Sequence, residues 1–269
     1  MKRWKRTGKL YREIYYDRRL LADLSRKDVK QRFSGTYLGL FWGILQPFMT
    51  MLVYWAVFQF GFRSSDVGDI PFALWFICGI VPWLYISEAF SCAGNSFLEY
   101  SYLIKKVKFN INILPLVKIA SGLYIHIFFC VVVIFICSCF GYLPGIELVQ
   151  ILYYMFAAAM LVYAMSLITS SVMVFFRDLN QIIGIVLLIG MWGTPIAWSM
   201  EMFAPRIRFL LKLNPFYYLV EGYRDAILGR RWFWERPLLG IYFWVLTAVV
   251  MWIGIQIYSR LKPHFADVV

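Results

Sequence analysis

The sequence lacks most of the groups on which enzyme chemistry depends. Its two histidines, His126 and His264, are far apart and make no metal-ligand set. It contains no G-x-x-x-x-G-K-[ST] segment, so it has no P-loop with which to bind ATP. Glu88 is the one carboxylate within its long apolar runs, which gives no support for a relay of several carboxylates. These absences predict a chain without catalytic or metal-ligating residues, whose energy for any ATP-driven work comes from another subunit.

Charged side chains are also scarce for a chain of this length. Only 16% of the 269 residues are charged and 61% are hydrophobic, whereas a soluble domain has about 25% charged residues. The five cysteines all lie in apolar runs, so they suggest small buried side chains and not a disulfide framework or a zinc site. The first 33 residues are highly charged and contain no apolar h-region of a cleavable signal peptide. The composition predicts an integral membrane protein.

Apolar runs divide residues 35–269 into six predicted membrane spans. Each run is long enough for a helix to cross hydrocarbon, which takes about 20 residues. With the N-terminus inside, the cytoplasmic segments hold 18 basic residues and the external segments hold 8, so the positive-inside rule favours both termini in the cytoplasm. The predicted spans are 37–60, 71–98, 113–140, 148–176, 179–200 and 238–259.

Residues 1–34 form a basic segment ahead of the first span. Twelve of the 27 lysines and arginines lie before Phe33, where anionic headgroups account for the net charge of +12 better than nucleic acid does. Leucine and isoleucine recur here at spacings close to three and four, with arginines between them. The pattern predicts an amphipathic helix on the cytoplasmic face of the membrane, in contact with membrane lipids. A helix that pairs with a soluble coiled-coil partner is the alternative.

The segment 201–237 fits neither a membrane span nor a solvated loop. It carries 11 charges, too many for a lipid-facing helix, and yet it is rich in aromatic residues. Pro205 and Pro215 can each begin a helix, because proline is tolerated in the first turn. The sequence therefore predicts two short helices, at about 205–213 and 215–228, that dip into the outer leaflet as a re-entrant hairpin.

Two blocks in the C-terminal half carry a family resemblance. They read RDLNQIIGIVLLIGMWGTPIAW and LNPFYYLVEGYRDAIL, and they resemble the signature region of ABC transporter permeases that export polysaccharides. Earlier blocks look closest to wall teichoic acid translocation permeases, and the resemblance extends over nearly the whole chain. These blocks read YLGLFWGILQPFMTMLVYWAVFQFGFR, DIPFALWFICGIVPWLYIS and QILYYMFAAAMLVYAMSLITS.

The resemblance implies the membrane half of an ATP-driven exporter in the cytoplasmic membrane of a bacterium, and a Gram-positive one for a teichoic acid cargo. Two copies of the chain would form the pathway, with the first span of one copy against the fifth of the other. Two separate ABC ATPase subunits would hold ATP and Mg²⁺. The cargo would be an anionic polymer of polyol phosphates on a polyprenyl pyrophosphate, and this chain would break none of its covalent bonds.

The resemblance also implies roles for two cytoplasmic segments. In such exporters the loop after the second span, here 99–112, docks into the ATPase, and a plain positive-inside loop is the alternative. The junction before the first span lies near the substrate entrance, where Lys30 and Arg32 could meet a pyrophosphate or anchor to headgroups. The implied coupling residues are Glu99, Tyr102, Lys105, Lys106 and Lys108.

Aromatic and basic side chains in the membrane region are candidates for contact with the cargo. Aromatic faces stack on sugar rings, although tryptophan and tyrosine also gather at membrane interfaces. Arg206, Arg208 and Arg231 could form a basic exit rim that guides phosphates, or could anchor the hairpin to lipid. Glu221 and Arg224 are spaced for a local ion pair. The candidates for the substrate path are Tyr37, Phe41, Trp42, Phe48, Trp192 and Trp198.

Two other functions stay open at this stage. A permease of the same type could export another lipid-linked polysaccharide, such as O-antigen or capsule, because no residue identifies the repeat unit. A membrane enzyme acting on lipid-linked sugars would need acidic or metal-binding groups clustered at the membrane face. The cytoplasmic loops offer only Glu99 and Asp178, far apart in the sequence. The sequence therefore favours transport over catalysis.

Overall fold

The chain is a bundle of α-helices. The computed structural model describes residues 16–34, 37–39, 41–61, 66–104, 110–143 and 145–265. Over these ranges the only strand-like pairing is an isolated bridge between Val67 and Ile70, which confirms the all-α prediction. The helices are α1 (Arg18–Phe33), α2 (Phe41–Ala56), α3 (Phe72–Glu99), α4 (Ser101–Ile104), α5 (Ile113–Cys139), α6 (Gln150–Met173), α7 (Leu179–Trp192), α8 (Pro205–Lys212), α9 (Pro215–Ile227) and α10 (Pro237–Leu261).

Five stretches of helix in the described part of the chain are long and apolar enough to cross a membrane. They coincide with the first four predicted spans and with the sixth. The first consists of α2 with a π-helical turn, Val57–Gly61, that continues it. The predicted N-terminal helix is seen as α1, and the part of that prediction before residue 16 lies outside the described residues. The five stretches are Phe41–Gly61, Phe72–Gly94, Ile113–Cys139, Ile146–Met173 and Pro237–His264.

The fifth predicted span is helical over only part of its length. α7 has 14 residues, which is about 21 Å at a rise of 1.5 Å per residue. The helix ends at Trp192, and residues 193–199 form no regular structure. Thr194 Oγ1 donates to the Gly190 carbonyl at 2.7 Å, and Pro195 has no N–H with which to continue the helix. The prediction of a helix over 179–200 is therefore too long by eight residues, because a proline does not by itself show where a helix ends: Pro47 and Pro82 lie inside α2 and α3.

α3 lies at the centre of the bundle. It packs against α5, α6 and α9, and most of its side chains are buried. Its apolar residues occur on all sides of the helix, which is typical of a helix enclosed by others. α10 packs along α6, and α1 packs against α5. The second predicted span is thus the element on which the other helices assemble.

α2 and α7 lie at the edge of the bundle. Within α2 only Gly43 and Met51 are buried, and within α7 only Ile183 is buried. Both helices expose many large apolar side chains. In a membrane such a surface is covered by lipid or by another helix. These are also the two helices that the sequence analysis expects to meet across a dimer.

The predicted hairpin is present as α8 and α9, which begin at Pro205 and Pro215 as expected. The Asn214 side chain caps α9 by accepting a hydrogen bond from the Phe216 N–H at 3.0 Å. α9 differs from the expected surface helix, because it packs between α3 and α6 and buries most of its residues. Arg224 on this helix is 0% exposed, so its side chain faces the bundle and reaches neither a headgroup nor solvent.

The orientation can be tested by labelling single cysteines in a variant whose five native cysteines are replaced by serine. We expect Gly145→Cys to react with a membrane-impermeant maleimide in intact cells. Lys106→Cys is expected to react only after permeabilisation, because the basic segments stay on the cytoplasmic side. The cysteine-free chain serves as the blank. Reaction of Lys106→Cys in intact cells would reverse the topology.

Candidate functional site

A polar groove lies between the end of α1 and the helices α2 and α3, with Leu187 of α7 beside it. Its volume is about 390 Å³. Polar side chains among membrane helices are costly, and they mark a functional site by default. The polar side chains that line the groove are Arg32, Gln46, Thr50, Ser87, Glu88 and Ser91.

An ion pair forms part of the wall of this groove. Arg32 Nη1 donates to Glu88 Oε1, and the two side chains are 36% and 27% exposed. Glu88 precedes Glu99, the last residue of α3, by eleven residues, which is about 16 Å along the helix axis. The pair therefore lies well inside the span and not in the loop at its end. Because each charge neutralises the other, the cost of holding either one at this depth is reduced.

The outer face of α2 continues the groove. Gln46 and Thr50 line both the groove and an adjoining shallow cavity of about 480 Å³ on α2. Trp42 lines that second cavity and is 46% exposed. Phe41 and Phe48 are also exposed on α2. The structure thus places three of the predicted path aromatics on one exposed helix together with two polar side chains.

The other path candidates lie elsewhere. Tyr37 precedes α2 and is fully exposed. Trp192 is the last residue of α7, and its carbonyl accepts a hydrogen bond from Trp198 Nε1 at 3.2 Å. Trp198 packs edge-on against Phe203, with ring centroids 4.9 Å apart. Trp192 and Trp198 therefore brace the irregular segment after α7, a role that periodicity does not indicate.

A second polar site joins α1, the end of α3 and α5 at Lys118. Lys118 Nζ lies 2.6 Å from Asp28 Oδ1 and 2.5 Å from Glu99 Oε1. The Tyr100 hydroxyl donates to Asp28 Oδ1 at 2.6 Å. Burial alone would raise the pKa of Asp28, but the hydrogen bonds and the charge of Lys118 hold it below its ordinary value of 3.8. Asp28 therefore stays ionised and bonded to Lys118 at physiological pH.

The predicted coupling loop is attached to α1 at both of its ends. Glu99 and Tyr100 reach Asp28 through the site at Lys118, and Asn110 Nδ2 donates to Asp17 Oδ2 at 3.0 Å. Of the predicted coupling residues, Glu99 is thus in this network, and the ring centroid of Tyr102 lies 6.2 Å from that of Tyr100. Lys105, Lys106 and Lys108 lie outside the described residues. α1 and the ends of the loop form one unit, which the sequence did not reveal because the two segments are distant along the chain.

The predicted entrance residues occupy different positions. Arg32 lies in the groove, whereas Lys30 is exposed on α1 and does not line it. Glu88 was known from the sequence as a lone intramembrane carboxylate, but its cation partner was not predicted. The available signal was that Arg32 stands near the junction with the first span, where a long side chain can extend into the bundle.

The predicted exit-rim arginines have separate surroundings. Arg208 donates to the carbonyls of Phe203 at 2.7 Å and of Glu201 at 2.9 Å, so it fixes the turn before α8. Arg206 is exposed on α8. Arg231 lies between α9 and α10 and is exposed, and its carbonyl accepts from the side chain of Gln150, the first residue of α6, at 2.8 Å. Of the three, only Arg206 and Arg231 present largely free surface to a solute or a headgroup.

Arg224 makes more contacts than the single ion pair that its helical spacing predicts. It forms the predicted ion pair with Glu221 at 2.5 Å. It also donates to the carbonyls of Trp75 at 3.1 Å, Pro195 at 2.7 Å and Ile196 at 2.8 Å. Its guanidinium carbon lies 3.5 Å from the centroid of the Trp75 ring. Arg224 therefore fixes the irregular segment after α7 to both α3 and α9.

Asn214 makes a second connection between the two C-terminal sequence blocks. Its Nδ2 donates to the Gly193 carbonyl at 3.1 Å and to Thr194 Oγ1 at 2.9 Å. Together with Arg224 it joins the block that ends α7 to the block that forms α9. Three of the seven basic residues in the segment predicted to be external are bonded within the chain, since Arg208 and Arg224 bond carbonyls and Arg236 pairs with Asp225 at 3.0 Å. This internal bonding reduces the conflict with the positive-inside rule.

Comparisons with known proteins agree on one family. A sequence profile described as ABC-2 type transporter matches residues 20–228. The chain is 24% identical over 257 residues to the O-antigen export system permease protein RfbA of Klebsiella pneumoniae, covering 93% of this chain and 94% of that protein. A second RfbA of Klebsiella pneumoniae is 26% identical over 260 residues, with 93% and 94% covered. The RfbA of Myxococcus xanthus is 24% identical over 261 residues, with 96% and 98% covered.

Proposed function

Because the chain belongs to the ABC-2 type transporter family, we propose that it is the membrane permease of an ATP-driven polysaccharide exporter. The observation that carries this proposal is the polar groove of about 390 Å³ beside α2 and α3, with Arg32 in its wall. A groove between membrane helices suits a cargo linked to a lipid, because the tail stays in hydrocarbon while phosphate and sugar meet polar side chains.

The names of the relatives favour O-antigen over wall teichoic acid as the cargo. All three relatives are O-antigen export permeases, and each is matched over more than nine tenths of its length. We therefore propose a lipid-linked polysaccharide of the O-antigen type. Wall teichoic acid, to which several sequence blocks are most similar, is the second candidate. The Gram-positive origin expected with it has no support from these relatives.

The proposed exporter contains two copies of this chain and two separate ABC ATPase subunits, which would bind ATP and Mg²⁺. The absence of a P-loop from the sequence supports a separate ATPase. The exposed apolar surfaces of α2 and α7 support a pathway between two copies, in which these helices face each other. The chain itself is a multi-pass protein of the bacterial cell membrane.

The residues of the two polar sites have distinct proposed roles. Arg32 would contact the phosphate of the lipid carrier, while the exposed aromatic rings of α2 would contact sugars. Glu99 and Tyr102, at the start of the loop attached to α1, would lie at the ATPase contact with Lys105, Lys106 and Lys108. Arg206 and Arg231 would guide an anionic polymer at the exit. The ties from Lys118 and Asn110 support the coupling role, because they attach both ends of the loop to α1.

Complementation of two bacterial deletion strains tests the cargo. This chain, produced with its own ATPase, is expected to restore surface polysaccharide to a strain that lacks its O-antigen export permease. It is not expected to restore a strain that lacks its teichoic acid export permease. The Arg32→Ala variant should restore about tenfold less polymer, because a hydrogen bond to a charged group is worth about 1.5–3 kcal/mol.

The two complementation results distinguish between the candidate cargoes and test polysaccharide export itself. Rescue of the teichoic acid strain alone would reverse the choice of cargo. An assembled complex that hydrolyses ATP and rescues neither strain would contradict polysaccharide export. Immunoblotting of the membrane fraction confirms that each variant is present in equal amount.

A further inference from the structure

Glu88 is bonded to Arg32, the cation that a substrate phosphate would bind in the groove. Arg32 Nη1 donates to Glu88 Oε1, and both side chains line the groove. Among the described residues that line it, these two alone carry a full charge. The other polar members, such as Gln46 and Ser91, are neutral hydrogen-bonding groups. Any anion that binds Arg32 must therefore compete with Glu88.

This competition separates two kinds of phosphate. The phosphodiester of an ordinary phospholipid carries one negative charge, as Glu88 does, so its exchange for Glu88 on Arg32 gains little Coulomb energy. A pyrophosphate carries at least two negative charges and more acceptor oxygens, and it can bind a guanidinium through two of them. A resident carboxylate thus lowers the occupancy of Arg32 by the abundant phospholipids more than its occupancy by a pyrophosphate.

The structure also provides a place for the displaced carboxylate. Glu88 lines a second, small cavity that it shares with Tyr85, Gly122 and His126. Its volume is about 10 Å³, which is roughly the space that one water molecule needs. The carboxylate itself is larger than this space, so on leaving Arg32 it stays in the groove of about 390 Å³, beside the neutral polar side chains of Gln46 and Ser91. The exchange therefore does not require a buried anion without solvation.

We propose that Glu88 is the specificity-determining residue of the groove. Its carboxylate stays bonded to Arg32 in the presence of singly charged phosphodiester headgroups. The pyrophosphate of a lipid-linked substrate displaces it and binds Arg32. This inference rests on the proposed export of a lipid-linked polysaccharide. It adds a step at the groove that selects the lipid carrier. The number of charges on the headgroup determines whether the carrier binds Arg32, before any sugar contacts the protein.

The test measures binding to the full-length chain in phosphatidylcholine nanodiscs. The probe is labelled geranylgeranyl pyrophosphate, and the competitors are phosphatidylglycerol and inorganic pyrophosphate. In the wild type, phosphatidylglycerol is expected to displace the probe poorly. In Glu88→Gln its displacement should improve, so that selectivity for the probe over phosphatidylglycerol falls by about tenfold. Inorganic pyrophosphate is expected to displace the probe in both, because the headgroup is the recognised group.

Matched variants separate this effect from a general loss of charge. Glu201→Gln, which removes a negative charge at an exposed position, is expected to keep the selectivity of the wild type. Glu88→Asp keeps the charge but shortens the side chain, and its selectivity should fall between those of the wild type and Glu88→Gln. If Glu88→Gln does not assemble, Glu88→Asp alone serves as the test. A selectivity of Glu88→Asp equal to that of the wild type would then overturn the inference.

Three results would count against the inference. Unchanged selectivity in Glu88→Gln, with probe binding lost in Arg32→Ala, overturns the role of Glu88 and leaves the proposed function intact. Failure of inorganic pyrophosphate to displace the probe excludes the headgroup as the recognised group. Absence of probe binding to the wild type also overturns the inference, while the rescue of the deletion strains decides the proposed function separately.

Discussion

Replacing Arg224 by methionine is expected to destabilise the bundle more than any other substitution at the arginines of segment 201–237. The guanidinium is 0% exposed and bonds Glu221 together with the carbonyls of Trp75, Pro195 and Ile196. Methionine fills much of the same volume but leaves one carboxylate and three carbonyls without this donor. Removal of one partner of a buried charged pair costs about 3–5 kcal/mol. We expect that loss in the free energy of unfolding, measured by SDS-induced unfolding of the purified chain.

Arg230→Met is the matched control, because it makes the same change at an exposed arginine six residues away. Its effect should stay within about 0.5 kcal/mol. Gly79→Ala probes the same site from α3, since a Cβ at this glycine would lie only 2.8 Å from the Arg224 guanidinium carbon. It should therefore destabilise the chain as well, although less. Equal stability of Arg224→Met and Arg230→Met would show that the contacts of Arg224 contribute little.

Replacing Lys118 by methionine is expected to separate ATP hydrolysis from export. Lys118 is the link through which Asp28 of α1 and Glu99 at the start of the coupling loop are joined. Without the ammonium group, the buried Asp28 loses its cation and the two carboxylates no longer share a partner. In proteoliposomes that contain the ATPase, we expect export to fall at least about tenfold, equivalent to roughly 1.4 kcal/mol of coupling, while hydrolysis continues.

The double variant Asp28→Asn/Lys118→Met distinguishes coupling from stability. Removal of both charges avoids an unpaired buried carboxylate, so this variant should unfold at a higher temperature than Lys118→Met alone. Export should nevertheless stay low, because the link from α1 to Glu99 is still missing. Lys212→Met, at an exposed lysine, is the control. Recovery of export in proportion to stability would assign the Lys118 site a purely structural role.

The fold was predictable where a physical constraint acts locally. Long apolar runs gave five of the helices, because a polar backbone in hydrocarbon must satisfy its own hydrogen bonds. Pro205 and Pro215 gave the starts of α8 and α9, because proline fits the first turn of a helix. The end of α7 was missed, since the hydroxyl of Thr194 and the missing N–H of Pro195 act within an otherwise apolar run. The burial of α9 was missed as well, because its charges are satisfied by residues distant in the sequence.

The candidate sites show the same division between local and distant constraints. Arg32 and Glu99 were identified individually from their positions beside the spans and from the family resemblance. Their partners, Glu88 and Lys118, were visible only as isolated charges in apolar runs. A single sequence gives no measure of which isolated charges meet, because that depends on how α1 packs on the bundle. The same limit applies to Arg224, for which helical spacing revealed one of four partners.

The short α7 has a consequence for the surrounding bilayer. Its 14 residues span about 21 Å, whereas the hydrocarbon of a typical bilayer is about 30 Å thick. Lipids in contact with a helix shorter than the bilayer compress to match it, at a cost of fractions of a kcal/mol per Å. We therefore expect a local depression of the membrane along α7. Where α7 faces lipid and not the second copy, a charged headgroup that crosses beside it would pass through less hydrocarbon than beside the longer helices, so this hydrophobic mismatch would lower the barrier to its transfer between leaflets.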